Sequence, residues 1–417
     1  MAKDKKIELL APAGSPEKLK YAFAYGADAV YMGVPDFSLR VRINKFGMDN
    51  IKEAISAAHA EGKKIYVTVN IYAHSGHLKK LPSYLKNLNK WRPDALIISD
   101  PGVLLMAQKY APKVPIHLST QANATNWQAV KFWQKQGVQR VILGREVSLM
   151  EIKEIHEKVP KMELEYFVHG AMCMSYSGRC MLSAWLTGRS ANLGDCAQPC
   201  RWKYKVNNIS AEVEEENRPG MKIPIEEDEH GSYIFNSKDL CLIEYLRELI
   251  DAGVTSLKIE GRAKSVAYLA MVVKAYSSAL MLVKKRGVKM SEFKKIKKNY
   301  LDKIMNRGYT TGFLFGRNSA EQETKMSHAK SQVEFVGEVV QCEKIHRKYR
   351  VWVKVHNTLR SGAKVWIIQS AGKDARTMLD KIYDQAGREL ESAHGGTGEL
   401  VYFESGKNFS IFSIIFH

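Results

Sequence analysis

The sequence predicts an α/β fold: a (β/α)8 TIM-type barrel over residues 1–330, with a cysteine-bearing insertion after its seventh strand, and a small C-terminal all-β barrel over 331–417. Three observations lead there. Eight short β-rich apolar runs alternate with helix-period segments, glycines stop several helices just before the next run, and after about residue 330 strands follow one another with no helix between.

The eight runs are Ile7 to Ala11, Ala29 to Gly33, Lys64 to Asn70, Ala95 to Ser99, Ile116 to Thr120, Val141 to Gly144, Glu163 to Val168 and Ser256 to Glu260. Between them, segments such as residues 51–61 place Ile51, Ala54, Ile55 and Ala58 on one helical face. Gly26, Gly62, Gly137 and Gly253 each sit where a helix must end, and glycine takes the left-handed conformation that closes it. Eight such units imply a closed parallel barrel, with a doubly wound open sheet as the competing architecture. The helix expected after strand seven, near Leu242 to Asp251, arrives only after an insertion at about 171–238, which places that insertion on the C-terminal face of the barrel. Within it, the carboxylate-rich tract Glu212 to Glu229 reads as a solvated hairpin or flap, because like charges repel. The expected C-terminal strands are Val333 to Val340, Arg350 to Val355, Lys364 to Ile368 and Glu399 to Phe403, with a further strand possible in the apolar end Phe409 to His417.

Lys and Arg outnumber Asp and Glu by 63 to 44, a formal charge of +19, which favours a polyanionic partner. Much of the excess gathers at Lys284, Lys285, Arg286, Lys289, Lys294, Lys295, Lys297 and Lys298, which also reads as an exposed helix with its preceding turn. The N-terminal residues show no secretory leader, and no window approaches the roughly 20 apolar residues of a membrane span, so a cytoplasmic protein is expected.

Four of six cysteines, Cys173, Cys180, Cys196 and Cys200, fall within 28 residues, separated by six, fifteen and three others. Four thiolates complete one tetrahedral zinc or one iron–sulfur cluster, although neither close pair has the Cys-x2-Cys spacing of a zinc knuckle. Unrelated buried thiols or disulfides are the alternatives. Hydrolase signatures are missing: no Gly-x-Ser-x-Gly elbow is present, and His156-Glu157 lacks a second zinc-binding histidine. Polar residues instead close or follow the apolar strands: Asn70, Asp100, Gln121, Arg145, Glu165 with His169, and the run Lys258-Ile-Glu260-Gly-Arg262. In a barrel these are expected to converge on one mouth, where cations and amides suit a small carboxylate. His169 reads as a ligand, a proton donor or a structural histidine, while Phe167 and Trp185 read as packing.

Residues 165–183, Glu-x-Phe-x-x-Gly-Ala-Met-Cys-x4-Gly-x-Cys-x-Leu-Ser in outline, resemble the signature of the collagenase-like peptidases, peptidase family U32. Further blocks are Leu10-Ala-Pro-Ala-Gly14, Gly26 to Gly33, Ser119-Thr-Gln-Ala-Asn123 and Lys258 to Arg262. The cysteine spacing, Arg201-Trp-Lys-Tyr204 and the C-terminal β domain are most similar to a branch implicated in prephenate-dependent synthesis of 5-hydroxyuridine at the tRNA wobble position. The resemblance implies a 4Fe-4S cluster on Cys173, Cys180, Cys196 and Cys200, with Cys241 competing as fourth ligand and Cys342 an ordinary thiol. It also implies tRNA as partner, and prephenate, a small dicarboxylate co-substrate, near Arg145 and Arg262. Gln121, Glu165 and His169 complete the expected catalytic set. The alternatives are a collagenase-like peptidase and a non-catalytic RNA-binding protein.

Overall fold

The computed structural model describes residues 6–33, 37, 38, 45–172, 183, 187, 197, 212–214, 222–224, 227, 228, 231, 232, 238–285, 287–316, 331, 333–396 and 398–417. Strand and helix alternate from the start: β1 (Glu8–Pro12), α1 (Pro16–Ala24), β2 (Ala29–Gly33), α2 (Met48–Ala60), β3 (Lys64–Val69), α3 (Ser75–Trp91), β4 (Ala95–Ile98) and α4 (Pro101–Tyr110). They continue through β5 (Ile116–Leu118), α5 (Trp127–Lys135), β6 (Arg140–Ile142), α6 (Leu149–Lys158) and β7 (Glu163–Ala171). The helices begin where the sequence offers caps. Ser15, Asp100, Asn126 and Ser148 each accept a backbone N–H three residues on, and Pro16 and Pro101 occupy first positions that need no donor. Gly26, Gly62, Gly137 and Gly253 all have positive φ, as a helix stop requires.

The insertion carries two short antiparallel ribbons, β8 (Glu212–Glu214) with β9 (Lys222–Pro224) and β10 (Glu227–Asp228) with β11 (Gly231–Ser232), so the hairpin expected for the acidic tract has a backbone counterpart. The chain then forms β12 (Asp239–Cys241), α7 (Leu246–Asp251), β13 (Val254–Ile259), α8 (Val266–Val283), α9 (Met290–Tyr300) and β14 (Tyr309–Thr310). Parallel pairing runs β13-β1-β2-β3-β4-β5-β6-β7, and β13 pairs again with β7, which closes an eight-stranded barrel. All eight expected strands are present. The pair β12 and β14 was not expected: β12 adds antiparallel to the far end of β7, and β14 adds parallel to β12.

Helix α8 differs from its sequence reading in one respect. Its 18 residues have mean hydropathy 1.7, long and apolar enough to span a membrane. Eleven of them are buried, packed against α1, β1, α7 and α9, and a helix enclosed in this way has little need for a polar face.

The remaining strands are β15 (Phe335–Ile345), β16 (Lys348–Val355), β17 (Thr358–Arg360), β18 (Lys364–Ile368), β19 (Ala375–Met378), β20 (Ile382–Tyr383), β21 (Glu389–Leu390), β22 (Ser392–His394), β23 (Leu400–Ser405) and β24 (Ile414–Phe416). They form a curled antiparallel sheet in the order β19-β18-β24-β15-β16-β23-β20-β21, with β17 and β22 as a separate ribbon. Its own core is aliphatic, including Val351, Val353, Ile367 and Ile415, whereas Ile368, Ile414 and Phe416 join the barrel's core. Polar contacts fasten the sheet to the barrel. Tyr21 bonds Glu338, Tyr25 donates to the carbonyls of Ile368 (2.8 Å) and Phe412 (3.0 Å), and Tyr300 donates to Asp374 (2.6 Å).

Candidate active site at the barrel mouth

Side chains alternate along each strand, so every barrel strand sends each second residue inward. Near the N-terminal end these residues are charged. Arg140, the first residue of β6, donates to Glu8 at 2.6 Å, to Glu165 at 3.1 Å and to Glu163 at 2.8 Å. Tyr66 donates to Glu8 at 2.6 Å, and Ser256 bridges Glu8 (3.0 Å) and Glu165 (3.2 Å). Burial would raise the Glu8 carboxyl, but the Arg140 guanidinium holds it below its usual value. His117 packs edge-on to Tyr66 and is kept neutral, its pKa driven well down by burial and then by the Arg140 and Lys258 charges.

Lys258 forms the next layer. Its Nζ lies 2.7 Å from Glu165, 4.3 Å above the Tyr31 ring and 5.5 Å from the Phe167 ring. Burial lowers its pKa, opposed by Glu165. The same two rings carry the cations of the mouth: the Arg145 guanidinium stacks on Phe167 at 3.8 Å, and that of Arg262 lies 5.5 Å from Tyr31 while donating to Ser38 at 3.1 Å. Arg145 is only 8% exposed, forms no ion pair among the described residues, and its buried Nε has no hydrogen-bond partner. The neighbouring Glu146 carboxylate feels the Arg145 charge without forming an ion pair with it, which leaves the guanidinium's unbonded Nε open to a bound anion.

At the same end of the barrel, Gln121 gathers the ends of three strands. Its Oε1 accepts from Asn70 (3.3 Å), Ser99 (3.2 Å) and Ser119, and its carbonyl accepts from Tyr72. Gln121, Arg145 and Arg262 therefore all stand at C-terminal strand ends, as expected. Asp100 is occupied as the N-cap of α4.

Two expected mouth residues lie elsewhere. Glu165 is the third of nine residues in β7 and fully buried, because it points into the barrel interior to meet Arg140, Ser256 and Lys258. His169 is turned out of the barrel. Between β7 and β13 the register slips, with Phe167 opposite Lys258 but His169 opposite Ile259, a bulge that breaks the alternation. The His169 ring consequently sits among Tyr268, Tyr276 and Tyr309, with Nδ1 3.4 Å from the Tyr276 hydroxyl. Burial lowers its pKa to about 4. Cys241 shares this flank. Its Sγ accepts from Tyr276 at 3.8 Å, and burial pushes the thiol up to about 11, unfavourable for a ligating thiolate.

Cys173, Cys180, Cys196 and Cys200 lie outside the described residues, as do Tyr176 and Trp185. The described residues around them still constrain the approach. Gly170 has φ of +112°, and a Cβ there would lie 2.4 Å from the Glu260 carbonyl, so only glycine lets β7 pass this close to the Lys258–Arg262 segment just before Cys173. Ser183, fully buried, accepts from the Ala197 amide at 2.8 Å. That bond ties a point three residues beyond Cys180 to the neighbour of Cys196. Among the described residues no group of three or more His, Cys, Asp or Glu is placed to hold a metal ion.

Sequence reasoning missed Glu8, Tyr66, His117 and Arg140. Their signal was a polar side chain within or beside an otherwise apolar strand, which reads equally as a strand boundary.

A closed parallel barrel with buried cations at its C-terminal mouth and an appended antiparallel sheet defines a TIM-barrel protein. The chain belongs to peptidase family U32: the family model matches residues 14–324 and the model of its C-terminal domain matches residues 331–415. It is 46% identical over 341 residues to tRNA hydroxylation protein P of Escherichia coli (strain K12), covering 74% of each chain. Identity to tRNA hydroxylation protein P of Haemophilus influenzae (strain ATCC 51907 / DSM 11121 / KW20 / Rd) is 38%, covering 95% of this chain and 93% of that one. A 23S rRNA 5-hydroxycytidine synthase of Escherichia coli (strain K12) is 34% identical, over 68% of this chain and 40% of the other.

Proposed function

We propose that this protein is an RNA-modifying hydroxylase that converts the wobble uridine of tRNA to 5-hydroxyuridine, in a reaction dependent on a prephenate-like dicarboxylate. Arg145 carries the reading: it is a buried cation at a barrel mouth that forms no ion pair among the described residues and leaves its Nε unbonded. A carboxylate placed against it would form that ion pair, and Arg262, across Lys258, would take a second. Gln121 offers a fixed amide at the same end of the barrel. The similarity to proteins named for tRNA hydroxylation and for 5-hydroxycytidine synthesis supports RNA as the substrate.

The residues suited to hold a 4Fe-4S cluster are Cys173, Cys180, Cys196 and Cys200. Cys196 and Cys200 are close enough in sequence to bind one centre, which favours Cys200 over Cys241 as the fourth ligand. A bound cluster would supply one-electron transfer, while the chain's own residues orient the dicarboxylate and screen the barrel floor from water. Mass spectrometry of wobble nucleosides from a deletion strain tests the function. Loss of 5-hydroxyuridine is expected, with restoration by the intact gene, and an unchanged nucleoside profile rejects it. Anaerobically purified protein is expected to contain iron and sulfide, whereas zinc without iron rejects the cluster.

A further inference from the structure

We infer that the outward face of α9 is a contact surface for the phosphate backbone of RNA. This rests on the reading of RNA as substrate. Helix positions lie about 100° apart, and α9 divides cleanly on that wheel. Phe293 is buried, with Ile296, Lys297 and Tyr300 half-buried on the same side; Lys297 pairs with Glu244 at 3.2 Å and Tyr300 with Asp374. Lys294, Lys295 and Lys298 occupy the opposite arc, roughly 100° wide, and all three are exposed.

Exposed Lys284, Lys285 and Lys289 precede them, so beside the paired Lys297 six exposed amines stand within residues 284–298, and none of the six forms an ion pair with a described residue. The nearby carboxylate of Glu292 instead accepts the Lys289 backbone amide at 3.3 Å. A helix face that is merely solvated usually mixes signs, and like charges at i and i+4, as in Lys294 and Lys298, destabilise the helix that carries them. Lysines held together at that cost suit a partner presenting closely spaced anions, and phosphates along one strand do so.

The position fits the occupant. From α9 the chain passes through Leu301–Lys303 to Ile304 and Met305, which wall a cleft of about 520 Å³ together with Lys264, Tyr268 and Phe335. Lys264 follows Arg262 of the mouth by two residues. The cleft thus joins the segment that leaves α9 to the segment that follows Arg262.

The experiment measures tRNA binding by the full chain across 50–300 mM salt for the wild type and for Lys294→Gln/Lys295→Gln/Lys298→Gln. Three lost phosphate contacts flatten the slope of log K against log salt by about 2–3. An about 10- to 100-fold loss of affinity is expected at the low-salt end. Lys79→Gln/Lys86→Gln/Lys90→Gln on α3, beside β4 and so opposite β13 in the ring, removes equal charge and is expected to keep the wild-type slope. The Lys→Arg triple on α9 is expected to bind as wild type, which separates charge from folding. An unchanged slope in the α9 Gln triple, or an equal loss in the α3 control, overturns the inference while leaving hydroxylation intact. Loss of binding to phosphatidylserine vesicles with an unchanged tRNA slope overturns it in favour of a membrane surface. If the wild type binds no tRNA at any salt, the substrate reading itself fails.

Discussion

Arg140 opens β6 and Arg145 follows five residues later, just past its end; both are buried and meet different electrostatic fates. Arg140 is bound by Glu8, Glu163 and Glu165, while Arg145 rests on the Phe167 ring. The first belongs to a floor of closely paired charges, while the second feels only the field of the neighbouring Glu146 and forms no ion pair with a described residue. The contrast separates two kinds of buried charge within one barrel, and it does so by partner rather than by burial.

The largest expected effect comes from breaking the floor. Arg140→Ala leaves Glu8 and Glu165 buried with one principal cation fewer, and a buried pair broken on one side costs about 3–5 kcal/mol. Thermal unfolding should show a large fall in Tm, partly recovered when Glu8→Gln is added, because the second change removes a stranded charge. A loss below about 1 kcal/mol would mean water already reaches the floor.

Acid provides the second test. His169 has its pKa lowered from 6.5 to about 4, so the unfolded chain takes up its proton first as the pH falls. Its stabilising contribution is complete above pH 6.5 and is lost between 6.5 and about 4, amounting to about 3 kcal/mol. Glu8, with a lowered folded pKa, contributes above 4.5 and loses that contribution only as the pH falls through its still lower folded value. Denaturant titrations at pH 7, 6, 5 and 4.5 should therefore show a decline that His169→Phe flattens, with the floor failing later. An unflattened decline would assign the acid sensitivity to His117 instead, which burial also keeps neutral.

The sequence made much of this legible, for reasons that differ by element. The eight strands and their glycine stops were readable because buried parallel strands are apolar and helix ends need left-handed residues, both local properties. The mouth positions of Gln121, Arg145 and Arg262 followed from strand ends alone. His169 was not readable, since its direction depends on one bulge between β7 and β13, a matter of register between segments about 90 residues apart. Nor was the contrast between Arg140 and Arg145: each flanks the same apolar run, and only the closed barrel brings Glu8, from the far end of the chain, against one and not the other. The strands β12 and β14 escaped notice because two or three residues carry no period.

The smallest stability effect and the most selective functional one are expected at Arg145. Removing a cation that forms no internal ion pair relieves its desolvation at the cost of only the through-space attraction to Glu146, so Arg145→Gln should change Tm little, unlike Arg140→Ala. On the proposed function the same substitution removes a charge-assisted contact to the dicarboxylate, worth about 1.5–3 kcal/mol, so calorimetric prephenate affinity should fall roughly 10- to 100-fold. Because the guanidinium lies flat on Phe167, Arg145→Lys should recover only part of that affinity: an ammonium keeps the charge but loses the planar stack and the two-pronged grip on a carboxylate. If Arg145→Gln instead lowers Tm as far as Arg140→Ala, the two arginines do the same job and the mouth is an extension of the floor. If stability holds but prephenate affinity is untouched, the guanidinium serves another anion, and RNA phosphate becomes the next ligand to titrate against the same pair of variants.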